Sequence, residues 1–345
     1  MDRREFLALT TIAAAGSAMA KTDRAPVADP GPKRPEPLNP GDRVAVVAPA
    51  SPVESAEDLE GFFKRVRNLG LEPVPAPNLE KKYGFFGGTD HERADDLNWA
   101  FANPEVKGIL PVRGGYGCSR LLHLLDYKLI KKNPKALCGY SDITALHLAL
   151  SQKAGLVTYH GPVLASSESA FSDGYLRQAL FGSGPVEFKN PGWEYLNPEH
   201  PEVPPSYEIR ALSPGRTSGR LAGGNLTLLA ALCGTPYQLE GKNKIVFFED
   251  VKEAPYRIDR MLTQLIHSGC FKGARGIVAG QFTDCDPEEP KDGEWLVADV
   301  LKDRLAPLGI PVMTGAAIGH ITHKWTVPVG AVAELDADEG TFRIP

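Results

Sequence analysis

Four short segments of this 345-residue chain set chemically useful side chains beside glycine or at the end of an apolar run. Arg113-Gly114-Gly115-Tyr116-Gly117 follows directly on Ile109-Leu110-Pro111-Val112. Glycines let a backbone come close to a ligand and aim N–H groups at it; a turn that needs positive φ explains the same run. Gly139-Tyr140-Ser141-Asp142-Ile143-Thr144 lies between an apolar strand and an apolar helix. A serine at such a sharp turn sits at the positive end of a helix dipole, where neighbouring N–H groups can stabilise an oxyanion. The motif is not G-x-S-x-G, because Ile143 stands at the second glycine position. By spacing alone an ordinary N-cap serine, with Asp142 in the first turn, fits better. The apolar run Ile245–Phe248 ends in Glu249 and Asp250. A carboxylate there can orient an imidazole and support its charge, or it can cap the next helix. Finally, Gly315-Ala316-Ala317-Ile318-Gly319 leads to His320 after Pro311-Val312-Met313. A histidine at a strand end faces a cleft and can act as a base near neutral pH. His323 with His320 and Glu249 invites a metal reading, but no HExxH pair or cysteine ligand accompanies them, so no metal is expected.

These segments have to be held by regular elements, and the pattern supplies them. Arg43–Ala48 is an apolar, β-branched run that reads as a buried strand ending at Pro49. Leu59, Phe62, Phe63, Val66 and Leu69 keep helical spacing after a Ser55 start, and Gly70 stops them. Helices are predicted over Asp90–Ala102, Ser119–Leu125 and Ile143–Gln152, alternating with strands over Gly108–Val112 and Ala136–Gly139. Such alternation predicts parallel βαβ units. The fold class expected is therefore α/β, an N-terminal open parallel-sheet domain (residues 41–164) plus a smaller mixed α/β C-terminal domain (residues 216–345). Residues 165–215 are rich in Ser, Pro and Gly and read as a connecting region. In the C-terminal part, Lys244–Phe248, Gly276–Gln281 and Ile310–Thr314 are strand candidates and Tyr256–Ser268 a helix. Val327–Leu335 and Thr341–Ile344 read as hairpin material.

Apolar residues make up 42% and charged residues 23% of the chain, which excludes a disordered or collagen-like protein. The net charge of −5 offers no electrostatic footprint for nucleic acid or anionic lipid. Five cysteines, none in a CxxC spacing, argue against a disulfide framework. Residues 1–20 open with Arg3-Arg4 before Glu5-Phe6-Leu7 and close on Ala18-Met19-Ala20. A charged start, a short apolar middle and a small-x-small end describe a twin-arginine-type export signal. The apolar run is too short to anchor the chain in a bilayer. Residues 21–40 carry six prolines and read as a linker. A periplasmic location follows as an expectation.

Taken in order, RGGYG, GYSDIT, HGP (His160–Pro162), GGNL (Gly223–Leu226), FFED with E-x-P-Y-R-I-D-R-M-L (Glu253–Leu262), and G-H before W-T-V-P-V-G resemble the serine LD-carboxypeptidases, also called muramoyltetrapeptide carboxypeptidases. The resemblance runs from about Val44 to the C-terminus. It implies a triad of Ser141 as nucleophile, His320 as general base and Glu249 as its orienter, with Asp250 and Glu253 as rival carboxylates. It implies an oxyanion hole from the Gly115 and Asp142 N–H groups, and substrate contacts from Arg113, Gly114 and Asn225, Arg113 meeting a terminal carboxylate. The implied substrate is a murein tetrapeptide that loses its terminal D-alanine, with no cofactor, no nucleic-acid partner and a homodimeric state. Two rival readings remain at this level. One is a relative that hydrolyses acyl-adenylate or peptide-nucleotide antibiotics, for which Trp325 would be an adenine platform. The other is a periplasmic solute-binding protein, which would need none of the three reactive side chains.

Overall fold

The computed structural model describes residues 31–192, 195 and 207–345. The expected export signal, residues 21–30 of the expected linker and part of the 165–215 region lie outside the described residues. The strands fall into two sheets. The first contains β1 (Arg43–Val47), β2 (Glu72–Pro75), β3 (Val106–Pro111), β4 (Ala136–Gly139), β5 (Thr158–His160) and one late strand, β12 (Val327–Val329). Its order is β12-β5-β4-β3-β1-β2, with parallel pairing throughout except for β12, which runs antiparallel to β5. The second sheet is wider: β6 (Val186–Phe188), β14 (Thr341–Ile344), β13 (Val332–Asp336), β8 (Arg216–Asn225), β9 (Lys244–Val251), β10 (Gly276–Thr283), β11 (Val312–Thr314) and β7 (Arg210–Ser213), in that spatial order. Its centre, β8 to β11, is parallel, and its margins are antiparallel. The α/β class with a mostly parallel first sheet and a mixed second one is the architecture read from the sequence.

The interior of the first sheet forms because its strands are continuous apolar runs, as sheets covered on both faces require. Val44, Ala45, Val46 and Val47 are fully buried, as are Ile109, Leu137 and Cys138. Helices α1 (Ala56–Asn68) and α2 (Asp90–Ala102) start where capping chemistry allows. Ser55 accepts a hydrogen bond from the Asp58 N–H, and Thr89 and Glu92 form a reciprocal capping box. The helix expected over Ser119–Leu125 is instead two 3₁₀ turns, Cys118–Arg120 and Leu122–Leu124, followed by α3 (Tyr127–Lys132). The helix after Ser141 is also shorter than expected. It comprises a 3₁₀ turn at Ser141–Ile143, α4 (Thr144–Ala149) and a π-turn at Leu150–Ala154.

Two stretches read as connectors are structured. Residues 31–40 were expected to be a tether, yet the Lys33 N–H bonds the Gly155 carbonyl, the Leu38 N–H bonds the Leu180 carbonyl, and the Leu38 side chain is buried. Within 165–215 lie α5 (Ala170–Phe181), β6 and β7. The tail also departs from the expected hairpin, because β12 leaves to join the first sheet while only β13 and β14 pair as one. The C-terminal helices are α6 (Leu226–Ala231), α7 (Pro255–His267) and α8 (Val297–Leu305). No helix among the described residues is long and apolar enough to cross a membrane.

Candidate active site

Strand β4 ends at Gly139 and the chain turns sharply into α4. Tyr140 is extended, and Ser141 takes φ +61°, one of four non-glycine residues with positive φ among those described. This left-handed conformation costs a serine about 1–2 kcal/mol and persists only where surrounding structure holds it. The turn is held from beneath by Asp142. Its side chain is fully buried and accepts a hydrogen bond from the Cys118 N–H at 2.7 Å, tying the Ser141 turn to the end of the Arg113–Gly117 loop. Burial pushes the Asp142 carboxyl above its ordinary pKa, and the Cys118 N–H opposes that rise. Gly114 is required by the same fit: a Cβ there would lie 2.8 Å from the Cβ of Ser141.

An imidazole and its carboxylate partner arrive from the second sheet. Strand β9 carries Glu249, fully buried, and the loop after β11 carries His320, whose side chain is 17% exposed. Their Nδ1···Oε2 distance is 2.7 Å, so the carboxylate accepts from the imidazole and leaves Nε2 as the free ring nitrogen. Gly319 permits this approach, since a Cβ there would sit 3.1 Å from Glu249 Oε2, and its φ of +138° suits glycine alone. The His320 loop is fixed on several sides. Thr283 donates to the His320 carbonyl, Ser172 of α5 bonds the Thr322 carbonyl and the Lys324 N–H, and Trp325 N–H meets the Ala317 carbonyl.

Ser141 and His320 line one cleft of about 330 Å³, together with Ser51, Arg113, Gly114, Gly115, Tyr140 and Ser166. The Ser141 hydroxyl makes no hydrogen bond among the described residues, to His320 or otherwise; catalytic pairs often tighten only when substrate is bound. Two larger hollows, about 660 and 590 Å³, lie elsewhere on the C-terminal part and contain neither Ser141 nor His320. The geometry therefore joins a strained, accessible hydroxyl, an imidazole and a buried carboxylate at the rims of two sheets, the elements of a nucleophile with its base.

The other expected residues sort themselves. Arg113 and Gly115 border the cleft, and Arg113 faces Glu54 at 3.4 Å. Asn225, expected at the substrate, is not among the residues that line this cleft: it is buried, caps α6 through the Leu228 N–H and donates to Asp250 at 2.9 Å. Asp250 points to the opposite face of β9 from Glu249 and accepts also from the Thr227 N–H and hydroxyl. Glu253 pairs with Arg257 at 3.4 Å. His323 bonds Ser169 at 2.7 Å, away from Glu249, and among the described residues no group of His, Cys, Asp and Glu is arranged to hold a metal ion. Trp325 is fully buried against Phe188 and Phe342, its indole N–H on the Lys189 carbonyl, so it packs the loop and offers no platform to a nucleotide.

Sequence reading passed over two buried cationic or potentially cationic side chains behind the cleft. His160, part of the HGP motif, approaches Glu249 Oε1 with its Nε2 at 4.0 Å, and both its ring nitrogens lack hydrogen-bond partners among the described residues. Burial, reinforced by His147, His320 and Lys324, holds its pKa well below the ordinary histidine value. Lys324 is 4% exposed and sets its ammonium 4.1 Å from the centre of the Tyr140 ring. Nothing in an isolated lysine marks such a position in the sequence.

Sequence comparison matches residues 44–161 to the LD-carboxypeptidase N-terminal domain and residues 218–335 to the LD-carboxypeptidase C-terminal domain. A relative described as a probable murein peptide carboxypeptidase from Bacillus subtilis is 37% identical over 90% of this chain and 94% of its own length. Among solved structures, a muramoyltetrapeptide carboxypeptidase from Oxalobacter formigenes superposes with a TM-score of 0.73 at 31% identity, covering 87% of this chain and 97% of that one. A structure of MccF in complex with glutamyl sulfamoyl guanosine superposes with a TM-score of 0.78 at 26% identity, covering 90% and 97%.

Proposed function

The chain belongs to the LD-carboxypeptidase family, and on that premise we propose that it is a serine hydrolase releasing terminal D-alanine from murein tetrapeptides. The observation that carries this reading is the 2.7 Å contact between His320 and Glu249, with His320 and Ser141 opening onto the same cleft. Ser141 Oγ attacks the scissile carbonyl while His320 Nε2 takes its proton and returns it to the leaving amine. Glu249 fixes the imidazole through Nδ1 and balances the charge it acquires. The N–H groups of Gly115 and Asp142 receive the oxyanion, each such donor being worth about 3 kcal/mol of barrier. Arg113 exchanges its half-exposed contact with Glu54 for the substrate's terminal carboxylate, an exchange made easy because exposed ion pairs are worth little. The twin-arginine-type pattern of residues 1–20 supports a periplasmic setting for this activity, the trimming of wall-derived peptides.

Likeness to MccF brings in nucleotide-linked substrates as a second reading. The burial of Trp325 removes the aromatic surface on which that reading relied here. Incubating the purified protein with a defined murein tetrapeptide and following the products by mass spectrometry decides between them. The expected result is loss of one alanine residue with free D-alanine appearing; intact tetrapeptide beside cleavage of a glutamyl sulfamoyl nucleoside would reverse the assignment.

A further inference from the structure

Glu249 presents a charge problem that the triad alone leaves open. Its carboxylate is fully buried, one oxygen is bonded by His320, and the other, Oε1, has no hydrogen-bond partner among the described residues. When His320 is neutral, as a base must be, the pair carries a net negative charge out of contact with water. Buried charge of that kind is costly unless another charge balances it. The groups facing Glu249 are His320 from the loop after β11, His160 from β5, Tyr140 from the nucleophile turn, Asp250 beside it on β9, and Lys324. His160 is held neutral by burial, and Asp250 has the wrong sign. Lys324 also faces Arg65 of α1, which is bonded to the Leu164 carbonyl. The Lys324 ammonium makes no hydrogen bond or ion pair among the described residues, and lies on the face of the Tyr140 ring, whose centre is 4.8 Å from that of His320.

Resting on the triad reading above, we propose that Lys324 is a positioning residue whose buried positive charge balances the Glu249 carboxylate and keeps His320 free of a proton in the resting enzyme. The charge acts through Tyr140 and the low-dielectric space behind it, and touches no substrate. Burial lowers the Lys324 pKa to about 8, with the Glu249 charge pulling it back up, which is the mutual dependence this role requires. Without the ammonium, the His320–Glu249 pair takes up a proton more readily. The acidic limb of nucleophile reactivity then moves to higher pH.

The probe is diisopropyl fluorophosphate, which reports Ser141 reactivity without any assumption about the natural substrate. The Ser141 Oγ–P bond forms, the P–F bond breaks, fluoride leaves, and the hydroxyl proton passes to His320. Inactivation rates are measured across pH for the wild type, Lys324→Met, Lys324→Gln, Lys324→Arg and Ser141→Ala, with thermal midpoints recorded for each. The neutral variants are expected to shift the acidic limb upward by about one pH unit, making labelling about tenfold slower below the limb while the high-pH plateau is kept within a few-fold. The arginine variant, which retains the charge, keeps the limb where the wild type has it. A purely structural role would lower the thermal midpoint or the whole profile without moving the limb, and that result overturns the proposal, as does an arginine variant shifted like the neutral ones. The glutamine variant gives the same reading if methionine prevents folding. Unchanged labelling in Ser141→Ala would overturn the triad and this role with it, whereas an unlabelled Ser141→Ala with an unmoved limb in the neutral variants overturns only the role of Lys324.

Discussion

Two strand–turn–helix units face each other behind the cleft and use their turn residues in opposite ways. In the first, β4 turns through Ser141 into α4; in the second, β8 turns through Asn225 into α6. They touch directly, the Asn225 N–H donating to Thr144 Oγ1 at 2.9 Å. Asn225 sits at φ −65° and ψ 127°, ordinary for an N-cap, with its side chain bonded at both ends. Ser141 sits at φ +61° and its hydroxyl is bonded to nothing among the described residues. The local architecture is shared, yet one turn is relaxed and hydrogen-bonded through its side chain while the other is strained and held open. A bonded cap stabilises its helix, whereas strain maintained beside a cleft points to a residue kept available for chemistry.

Substitutions at the two turns separate these roles, and the largest effect belongs to the strained one. Ser141→Ala should lower kcat/KM by about 10⁴-fold or more, as loss of a triad nucleophile does, with the thermal midpoint unchanged. A residual rate within tenfold of wild type would dissolve the contrast. Asn225→Ala should do the reverse, costing about 2 kcal/mol in urea unfolding through the lost cap and the partner removed from Asp250. Its kcat/KM should stay within about tenfold; a collapse of activity in a fully stable protein would return Asn225 to the substrate. The smallest effect sharpens the point. Ser141→Gly, inactive like the alanine variant, should be more stable than Ser141→Ala by about 1 kcal/mol, since glycine accepts positive φ without a steric penalty. Equal midpoints for the two variants would mean that the turn carries no strain.

The sequence displays the cores of both sheets plainly, because continuous apolar runs at 44–47, 136–139 and 245–248 have no other use in a chain of this polarity. The helix Asp90–Ala102 is legible to the residue, bounded as it is by a capping box. What the pattern cannot show is partnership. Val327–Val329 is apolar in the same way whether it pairs with its neighbour β13 or crosses to β5. The 165–215 region looks loose in composition, but Ser169, which caps α5, and Ser172 in its first turn hold His323 and Lys324 in place. At the site, motif order pointed to Ser141, Glu249 and His320. Spacing favoured a cap at Ser141, because backbone φ leaves no trace in residue type when the residue is not glycine. Asn225 is the complementary case: its motif marks the turn, and only the side-chain bonds to Asp250 and the Leu228 N–H show that it caps the helix. His160 shows only as part of the HGP motif and Lys324 not at all, since what distinguishes them is which buried groups they face.

The crossing of β12 carries a consequence for how this chain can be divided. A fragment ending before residue 193 would contain the Ser141 turn and five of the six strands of the first sheet, and by family matching would look like a self-sufficient module. It would nevertheless expose the rim of β5 (Thr158–His160), an unprotected template for pairing with other chains. Expressed alone, that half should be prone to self-association, and adding residues 323–331 in trans should be its natural remedy.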